Sequence, residues 1–364
     1  MRSVDSIAPV VMPVVWTARH RGHAPNGGYW LGARIAGDEE PERGDTLAEQ
    51  LRGAGIELTE PDVHGLDPIL AVHDATFVDF LGRAWPAWVA EGHLEEPGQR
   101  EVVPYLFATA PFSARHRKDR RPATIRAEVG LYAMDTMSLI SEGTYDAAVA
   151  ASDCALTAAD LVADGAPAAY AAVRPPGHHA GPAFFGGSCY LNNAAIAAQR
   201  LLDVAPAVRR VVIVDIDAHQ GNGTQEIFYE RGDVFYASVH VDPAAGWFPH
   251  LVGHADETGD GVGADCNRNA VVAPGAGDTE WLAALDGLLE PVRTFDADAL
   301  VVSLGVDAAA DDPESPLEIT ADGYRAAGER LGALGLPTVL VQEGGYHLPT
   351  LGALVLSVLT GFEA

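Results

Sequence analysis

From about residue 145 onward, the chain alternates between short apolar runs of strand length and longer amphipathic stretches of helix length. This alternation is typical of βαβ units, which fold into a parallel sheet with helices on both faces and right-handed crossovers. The predicted strands are residues 168–173, 210–216, 234–241, 299–304 and 338–342, and the predicted helices are 145–162, 192–202, 223–229, 279–293, 320–334 and 348–359.

The first part of the chain is less regular. Residues 22–41 are rich in Gly, Pro and polar side chains, and residues 92–121 are irregular with clustered basic side chains, whereas 45–54 predicts a helix. Long loops on a rigid α/β body often line the mouth of a site. We therefore expect one domain over residues 1–364, with 22–41 and 92–121 at the rim of its functional site.

The formal net charge of −28 argues against a general affinity for nucleic acid or for anionic membranes, although it is compatible with a cationic substrate. The basic run at 115–121 is short and lacks interleaved aromatic residues. A solvated loop is therefore favoured over a nucleic-acid patch for this run.

Cysteine usage and the N-terminus indicate the compartment. Cys154, Cys189 and Cys266 have no CxxC spacing and form no disulfide framework, which is typical of a reducing cytoplasm. Pro9 and Pro13 interrupt the N-terminal apolar run, so this run predicts a first strand rather than a signal peptide. Since no apolar stretch approaches the ~20 residues of a membrane span, we expect a cytoplasmic protein with no membrane partner.

The predicted strand 210–216 runs directly into two acids and a histidine. Because side chains alternate along a strand, Asp215, Asp217 and His219 lean the same way until Gly221 breaks the extended geometry. In open α/β sheets, ligands bind outside the carboxyl ends of the strands. A lone Asp would only cap the next helix, but this trio favours a divalent metal or a catalytic site.

Three other predicted strands also end in chemically active side chains. His178 and His179 follow one strand after a rigid Pro-Pro-Gly turn, Asp307 follows another, and Tyr346 follows the last after a Gly-Gly turn. Each alone has a structural explanation, as a buried histidine, a helix cap or a turn tyrosine. Four such strand ends in one sheet indicate a catalytic site.

The residue types point to metal-assisted amide hydrolysis. Asp217, His219 and Asp307 offer the O, N, O donor set of an open catalytic zinc site, with room for a water and a substrate oxygen. One of the two adjacent histidines would take the proton of that water and later donate one to the leaving amine. The Tyr346 hydroxyl would donate to the tetrahedral oxyanion. The chain has no Gly-x-Ser-x-Gly, P-loop or Rossmann fingerprint.

The chain resembles the zinc-dependent histone deacetylase superfamily, and most closely its bacterial acetylpolyamine amidohydrolase branch. The matching stretches are RPPGHHAGPAFFGGSCYLNNAA, VDIDAHQGNGTQEIFYERGDVFYASVH, GWFPH, VVSLGVDAAADDP and EGGY. The resemblance covers nearly the whole chain and is most specific from residue 145 onward. It implies the arginase-deacetylase fold, a single α/β domain whose eight-stranded parallel sheet is flanked by helices.

The resemblance also implies a role for each residue at the strand ends. Zn²⁺ would bind Asp217, His219 and Asp307, although Fe²⁺ stays open as an alternative. His179 would be the general base and acid, with His178 as its electrostatic partner. The supporting residues implied are Asp215, which orients His178, Asn222, which orients His179, and Tyr346, the oxyanion donor.

Potassium ions and a dimer are implied as well. One structural K⁺ would bind at Asp215, Asp217, His219, Ser238 and Val239. A second would lie around Phe228, Arg231 and Val234. Residues 22–41 correspond to the segment that builds the dimer and narrows the active site in the polyamine branch, so a homodimer is expected.

The chain departs from the family pattern near the metal. Gln220 replaces the second histidine of the usual Asp-x-His-His-Gly, but that histidine is not a ligand. Arginases share the Asp-Ala-His string and hold two manganese ions, for which they need further acids. Gly221 and Gly305 occupy the corresponding positions here, so a binuclear site is not expected.

The substrate tunnel departs further. Phe248 keeps one aromatic wall, but Ser188, after Gly187, stands where the family usually has a facing Phe or Tyr, which widens the tunnel. By spacing, Arg126 and Met137 take the positions at which the polyamine branch holds a remote ammonium with acids. An arginine there would attract a carboxylate or phosphate, unless it points to solvent or pairs with a nearby acid. Both interpretations stay open.

The sequence thus predicts a zinc amidohydrolase that removes an acetyl or similar acyl group from an amine. The first candidate substrate is a small acetylated amine, with polyamines as the family default; Arg126 and Ser188 favour a bulkier or partly anionic one. The second is acetyl-lysine in a protein, as for a histone-type deacetylase. From another class, a non-catalytic acyl-group binder on the same fold is disfavoured because every matched ligand, the base and Tyr346 are present.

Overall fold

The computed structural model describes residues 10–108 and 121–364. Its main element is a parallel sheet. The strands, including two of a separate hairpin, are β1 (Val14–Val15), β2 (Gly28–Trp30), β3 (Ala33–Ile35), β4 (Leu58–Thr59), β5 (Ala168–Ala171), β6 (Val211–Asp215), β7 (Val234–Val241), β8 (Asn267–Val272), β9 (Ala299–Leu304) and β10 (Thr338–Gln342). Within the described ranges the sheet has eight strands in the order β4-β1-β5-β10-β9-β6-β7-β8, while β2 and β3 form an antiparallel hairpin.

Helices cover both faces of the sheet. They are α1 (Pro41–Gly53), α2 (Asp67–Leu70), α3 (Ala75–Ala90), α4 (Ile125–Glu128), α5 (Thr144–Ala163), α6 (Asn193–Val204), α7 (Asn222–Phe228), α8 (Asp278–Thr294), α9 (Ala321–Gly332) and α10 (Leu348–Phe362). In the two described ranges, no helix combines the length and the apolar character that crossing a membrane requires.

Strand β6 is buried on both faces, which explains its unbroken apolar run. Val212 and Val214 pack into the core shared with α1, α8, α9 and α10. Val211 and Ile213 face the opposite core, which α5 and α6 cover. Full burial of such a side chain contributes roughly 1.5–3 kcal/mol, so the strand stays apolar until it reaches its polar end at Asp215.

The predicted fold class is confirmed, and the predicted helices and strands from residue 144 onward match within a few residues. The structure adds β8, whose sequence NRNAVV lacks an apolar run, and the β2–β3 hairpin within the predicted loop 22–41. The basic run at 115–121 lies outside the described residues except for Arg121. Cys154, Cys189 and Cys266 are all free, as expected.

The order of the strands determines where the site forms. The four strands that end in active side chains, β5, β10, β9 and β6, are consecutive neighbours in the sheet. Because they are parallel and in register, with Asp215 beside Ser303 and Leu304 beside Gln342, their carboxyl ends lie at one edge. This edge holds the candidate active site.

Candidate active site

The side chains of Asp217, His219 and Asp307 form a compact cluster in which one potential ligand atom of each lies within 4.8 Å of the others. His219 Nδ1 is 3.3 Å from Asp217 Oδ1 and 2.9 Å from Asp307 Oδ2. A tetrahedral zinc ion with bonds of roughly 2.0–2.2 Å separates its ligand atoms by roughly 3.3–3.6 Å. The cluster therefore fits such an ion with small adjustments.

Backbone amides hold one oxygen of each carboxylate. Gly344 N donates to Asp217 Oδ2, and Ala218 N donates to Asp307 Oδ1, each at 2.8 Å. A Cβ atom at Gly344 would lie 2.4 Å from Asp307 Oδ2, and one at Gly305 would lie 2.1 Å from Asp217 Oδ2. Glycine at these two positions therefore allows the carboxylates to converge.

The same close packing bears on a second metal. A Cβ atom at Gly221 would lie 2.5 Å from Asp215 Oδ2. Gly305 is packed in the same way against Asp217. Neither position has room for the additional acid that a binuclear centre needs. The geometry thus favours the predicted mononuclear site.

His178 and His179 lie side by side, with ring centroids 4.0 Å apart. His178 Nδ1 is 3.0 Å from Asp215 Oδ2, and His179 Nδ1 is 2.7 Å from Asn222 Oδ1. Because an ionised carboxylate and an amide oxygen only accept hydrogen bonds, both Nδ1 atoms carry a hydrogen and donate the hydrogen bond. The structure thus brings together the two pairs that the sequence resemblance implied.

The pKa values of these neighbours shift in opposite directions. Burial opposes the charged form of His178, but the carboxylates of Asp217 and Asp215 outweigh it and raise its pKa to about 10. Burial and the nearby charge of His178 lower the pKa of His179 well below its usual value. At neutral pH, His178 is therefore an imidazolium, and His179 is neutral with an unprotonated Nε2.

Tyr346 is held by residues that the sequence analysis did not single out. Its backbone N–H donates to Asp312 Oδ2 at 2.6 Å. The guanidinium of Arg43 lies 5.0 Å from its ring centroid and donates to the Gly345 carbonyl at 2.7 Å. Burial outweighs the Arg43 charge and raises the pKa of the Tyr346 hydroxyl well above its usual value, so this group remains a donor.

The sequence does contain a signal for Arg43. It precedes Leu47 and Leu51 at steps of four along α1, so it lies on the buried stripe of that helix. A buried arginine needs partners, and Arg43 Nη1 pairs with Glu39 Oε2 at 3.0 Å. The predicted helix began only at residue 45, so Arg43 fell outside it.

The metal-binding cluster opens into a cavity of about 440 Å³. The ring of Phe248 stands over its inner end, 4.9 Å from the His179 ring and 6.2 Å from the His219 ring. The carboxylates that line the cavity are those of Asp38, Glu39, Glu40, Asp135 and Glu314. Among the described residues that line it there is no lysine or arginine, although Arg43 and Arg174 behind the wall pair with Glu39.

The predicted substrate-binding residues divide into two groups. Gly187, Ser188, Phe248 and Met137 line the cavity, whereas Arg126 is exposed on α4 and is not part of its wall. The structure therefore removes the reason for expecting an anionic substrate.

The two predicted rim segments also differ. Residues 22–41 form much of the cavity wall, including Trp30 and Ile35 of the β2–β3 hairpin. The described part of 92–121 contributes no lining residue.

The residues of the first predicted potassium site adjoin the metal cluster, and Asp217 and His219 belong to both sets. Ser238 is beside Asp215 across β6 and β7, and its hydroxyl lies 2.8 Å from His240 Nδ1. In the second predicted site, the Phe228 carbonyl accepts the Arg231 N–H at 2.9 Å. Both potassium sites stay predictions.

Comparisons with known proteins agree with this geometry. A family model described as "Histone deacetylase domain" matches residues 38–362. Acetylpolyamine amidohydrolase 1 of Pseudomonas aeruginosa is 42% identical over 326 residues, covering 89% of this chain and 91% of that protein. The acetylpolyamine amidohydrolase of Mycoplana ramosa is 41% identical over 351 residues, covering 96% and 99%.

A solved structure extends the likeness to three dimensions. The crystal structure of acetylpolyamine aminohydrolase from Burkholderia pseudomallei superposes with a TM-score of 0.90 at 39% identity, covering 97% of this chain and 99% of that one. The match confirms the predicted single-domain architecture. With the family model spanning most of the chain and relatives matching it nearly end to end, this protein belongs to the histone deacetylase family.

Proposed function

We propose that the protein is a zinc-dependent amidohydrolase that removes an acetyl group from a small amine carrying a second, cationic amine. The observation that carries this proposal is the neutral His179, which has a free Nε2 beside an O, N, O metal-binding cluster, at the inner end of a cavity lined by carboxylates. Relatives named acetylpolyamine amidohydrolases support the same reaction and substrate class.

Asp217, His219 and Asp307 would hold the metal, which when bound would polarise the amide carbonyl and acidify a water molecule. His179 takes a proton from the attacking water at Nε2, because its Nδ1–H is committed to Asn222. As the amide C–N bond breaks, His179 returns a proton to the leaving nitrogen. The products are acetate and a free amine.

Two further groups respond to the charge that develops on the carbonyl oxygen. The Tyr346 hydroxyl lines the cavity and remains protonated, so it donates to the oxyanion. Asp215 holds the imidazolium of His178, which adds a positive charge next to His179. The centroids of the two rings are 4.0 Å apart. Burial and this charge together keep His179 neutral before the reaction.

The cavity wall supports a cationic substrate. Glu314 forms a hydrogen bond with Asp38, and burial together with this contact raises the pKa of Glu314 to about 7. A carboxylic group that is partly protonated at neutral pH, such as Glu314, can exchange its proton for a bound ammonium. Asp38 and Glu314 would therefore hold the distal amine of an acetylated diamine or polyamine.

The hairpin distinguishes the small-amine candidate from acetyl-lysine in a folded protein. Trp30 and Ile35 of the β2–β3 hairpin line the cavity and occupy its rim, where a protein surface would have to dock. We further propose that the same hairpin contributes to a homodimer, since Trp30 and Leu31 expose 53% and 89% of their surface. Structural potassium and a cytoplasmic location complete the proposal.

An activity panel tests the proposed function. Zinc-loaded protein would be given N-acetyl-1,4-diaminobutane, an acetyl-lysine peptide and an N-acetyl amino acid, with acetate release as the readout. We expect the highest kcat/KM for the acetylated diamine. Preference for the peptide would instead identify a protein deacetylase, and bound zinc without turnover of any acylated amine would identify an acyl-group binder.

A further inference from the structure

We infer that the cavity has free space beside Ser188, next to the reacting amide, and that this space takes an uncharged ring or branched carbon of the amine. The substrate class would then be acetylated diamines with a bulky group close to the acetylated nitrogen. This inference rests on the proposed function and narrows its substrate.

The wall at Ser188 is fixed by the backbone. Gly187 N donates to Asp135 Oδ2 at 2.5 Å, and Ser188 N donates to Ser138 Oγ at 2.8 Å. Both residues adopt the left-handed conformation, with φ of 54° and 62°. A Cβ atom at Gly187 would lie 2.2 Å from His179 Cδ2, so this segment is pressed against the catalytic histidine. At this position the cavity wall therefore carries only a small side chain, the hydroxymethyl group of Ser188.

The ring of Phe248 lacks an aromatic partner on the Ser188 side. In the part of the chain that the structure describes, the rings that contact it belong to His179, His219 and His250. Aromatic pairs are stable in stacked or edge-on arrangements with centroids roughly 4.5–7 Å apart. An aromatic or alicyclic group of the substrate can thus pack on Phe248 and extend over Ser188.

Met137, Tyr190 and His23 line the same cavity as Ser188. His23 Nδ1 lies 2.9 Å from Thr144 Oγ1, and its ring packs 5.0 Å from that of Tyr190. Burial lowers the pKa of His23 well below its usual value, so this histidine is neutral. This side of the cavity is therefore suited to an uncharged group.

One carboxylate, Asp135, also lies on this side, but its oxygens are already used. Oδ1 accepts the N–H groups of Met137 and Ser138 at 2.9 and 2.8 Å, and Oδ2 accepts that of Gly187. Asp135 is therefore not available to the ammonium, which is left to Asp38 and Glu314.

The size of the cavity is compatible with such a substrate. Its volume of about 440 Å³ lies within the range of roughly 300 to 1,000 Å³ that is usual for small-molecule pockets.

A matched substrate pair tests the inference. N-acetyl-1,4-bis(aminomethyl)benzene and N-acetyl-1,6-diaminohexane carry the same charges and the same number of atoms along the path between their nitrogens, and only the first has a ring. We expect the wild-type protein to have at least equal kcat/KM for the ring-bearing amine. Ser188→Phe should lower the ratio of kcat/KM for the ring-bearing amine to kcat/KM for the linear amine by roughly tenfold or more, because the Phe side chain fills the space beside residue 188. Ser188→Ala, which keeps the wall open, should hold that ratio within about twofold of wild type.

Each outcome decides the matter. If the linear amine is turned over and the ring-bearing amine has a lower kcat/KM, the inference is overturned and the proposed function stays intact. An equal effect of Ser188→Phe on both substrates also overturns it. If neither amine releases acetate, the proposed function fails and the inference fails with it. If Ser188→Phe does not fold, the wild-type ratio alone still decides.

Discussion

The Nδ1 atom of His179 lies 2.7 Å from Oδ1 of Asn222, and this contact leaves the Nε2 atom of His179 unprotonated at the cavity. The neighbouring His178 is paired instead with the carboxylate of Asp215 at 3.0 Å. The two adjacent histidines differ in protonation state, because carboxylates outweigh burial and raise the pKa of His178, whereas burial and the charge of His178 lower the pKa of His179. This difference separates the base from its electrostatic partner.

Replacing Asn222 should therefore impair catalysis without removing the metal. Asn222→Ala frees the His179 ring to adopt the wrong tautomer, and we expect kcat to fall roughly 10- to 100-fold. Asn222→Asp keeps an acceptor but adds a negative charge, which should raise the pKa of His179 and move the acidic limb of the pH–rate profile to higher pH. Metal content, measured alongside, should stay at the wild-type level. A wild-type pH–rate profile in Asn222→Asp would argue against His179 as the base.

Tyr346→Phe should cut kcat by about 10²–10³ with zinc still bound, because only the oxyanion donor is lost. The ring and its contact with Arg43 remain, so the fold should be preserved. Steady-state kinetics with metal analysis measure both effects. Unchanged turnover would remove Tyr346 from the mechanism.

Gly344→Ala should weaken metal binding. A Cβ atom at this position would lie 2.4 Å from Asp307 Oδ2 and 2.6 Å from Asp217 Oδ2, so the two carboxylates must move apart. We expect the metal content of the purified protein to fall well below one ion per chain. Gly287→Ala is a matched control, because it lies in helix α8 with open space around it. Equal metal content in both variants would contradict the assigned ligands.

Glu314→Gln should reduce kcat/KM for an acetylated diamine by roughly 10- to 100-fold, since a charged hydrogen bond to the distal ammonium is lost. The same variant should have little effect on N-acetylhexylamine, which has no second amine. Glu318→Gln provides a control, because Glu318 is exposed and outside the cavity wall. If Glu314→Gln slows both substrates equally, Glu314 does not recognise the ammonium.

Stability should fall in mild acid because His73 is buried in its neutral form. Its Nδ1 donates to the Gly181 carbonyl, its Nε2 accepts the Asn192 N–H, and burial lowers its pKa from 6.5 to about 4. As pH falls, His73 is protonated in the unfolded chain before it is protonated in the folded protein. The contribution of neutral His73 to the free energy of unfolding is therefore complete above pH 6.5 and is lost as pH falls towards 4. The full loss is about 3 kcal/mol, and about 2 kcal/mol of it should appear between pH 7 and 5.

Denaturant unfolding at both pH values measures this effect. His73→Gln should be less stable at pH 7 but should lose less stability on going to pH 5 than the wild type. The same pH dependence in both proteins would show that other groups control acid stability.

The chemistry of the site was predictable where it is tied to strand periodicity. Asp215, Asp217 and His219 follow a run that is apolar on both faces, and such a run is typical of a central strand. The sequence could not give the order of the strands. It is this order that places β5, β10, β9 and β6 side by side.

Other parts of the site depend on contacts between residues that are distant in sequence. Arg43 reaches the Gly345 carbonyl across 302 positions, and Glu314 meets Asp38 at the cavity wall. Spacing alone predicted Arg126 at the rim, but α4 directs it to the surface. Loop positions are set by packing rather than by periodicity, so spacing is a poor guide there.

The central claim is that the cluster of Asp217, His219 and Asp307 makes this protein a metal-dependent deacetylase of small cationic amines. The most direct measurement is acetate release from N-acetyl-1,4-diaminobutane as chelated protein is titrated with Zn²⁺. Activity should be absent without metal and rise in proportion to zinc until one ion per chain is bound. Zinc bound at one ion per chain with no acetate released, or equal release by the chelated protein, would contradict the account.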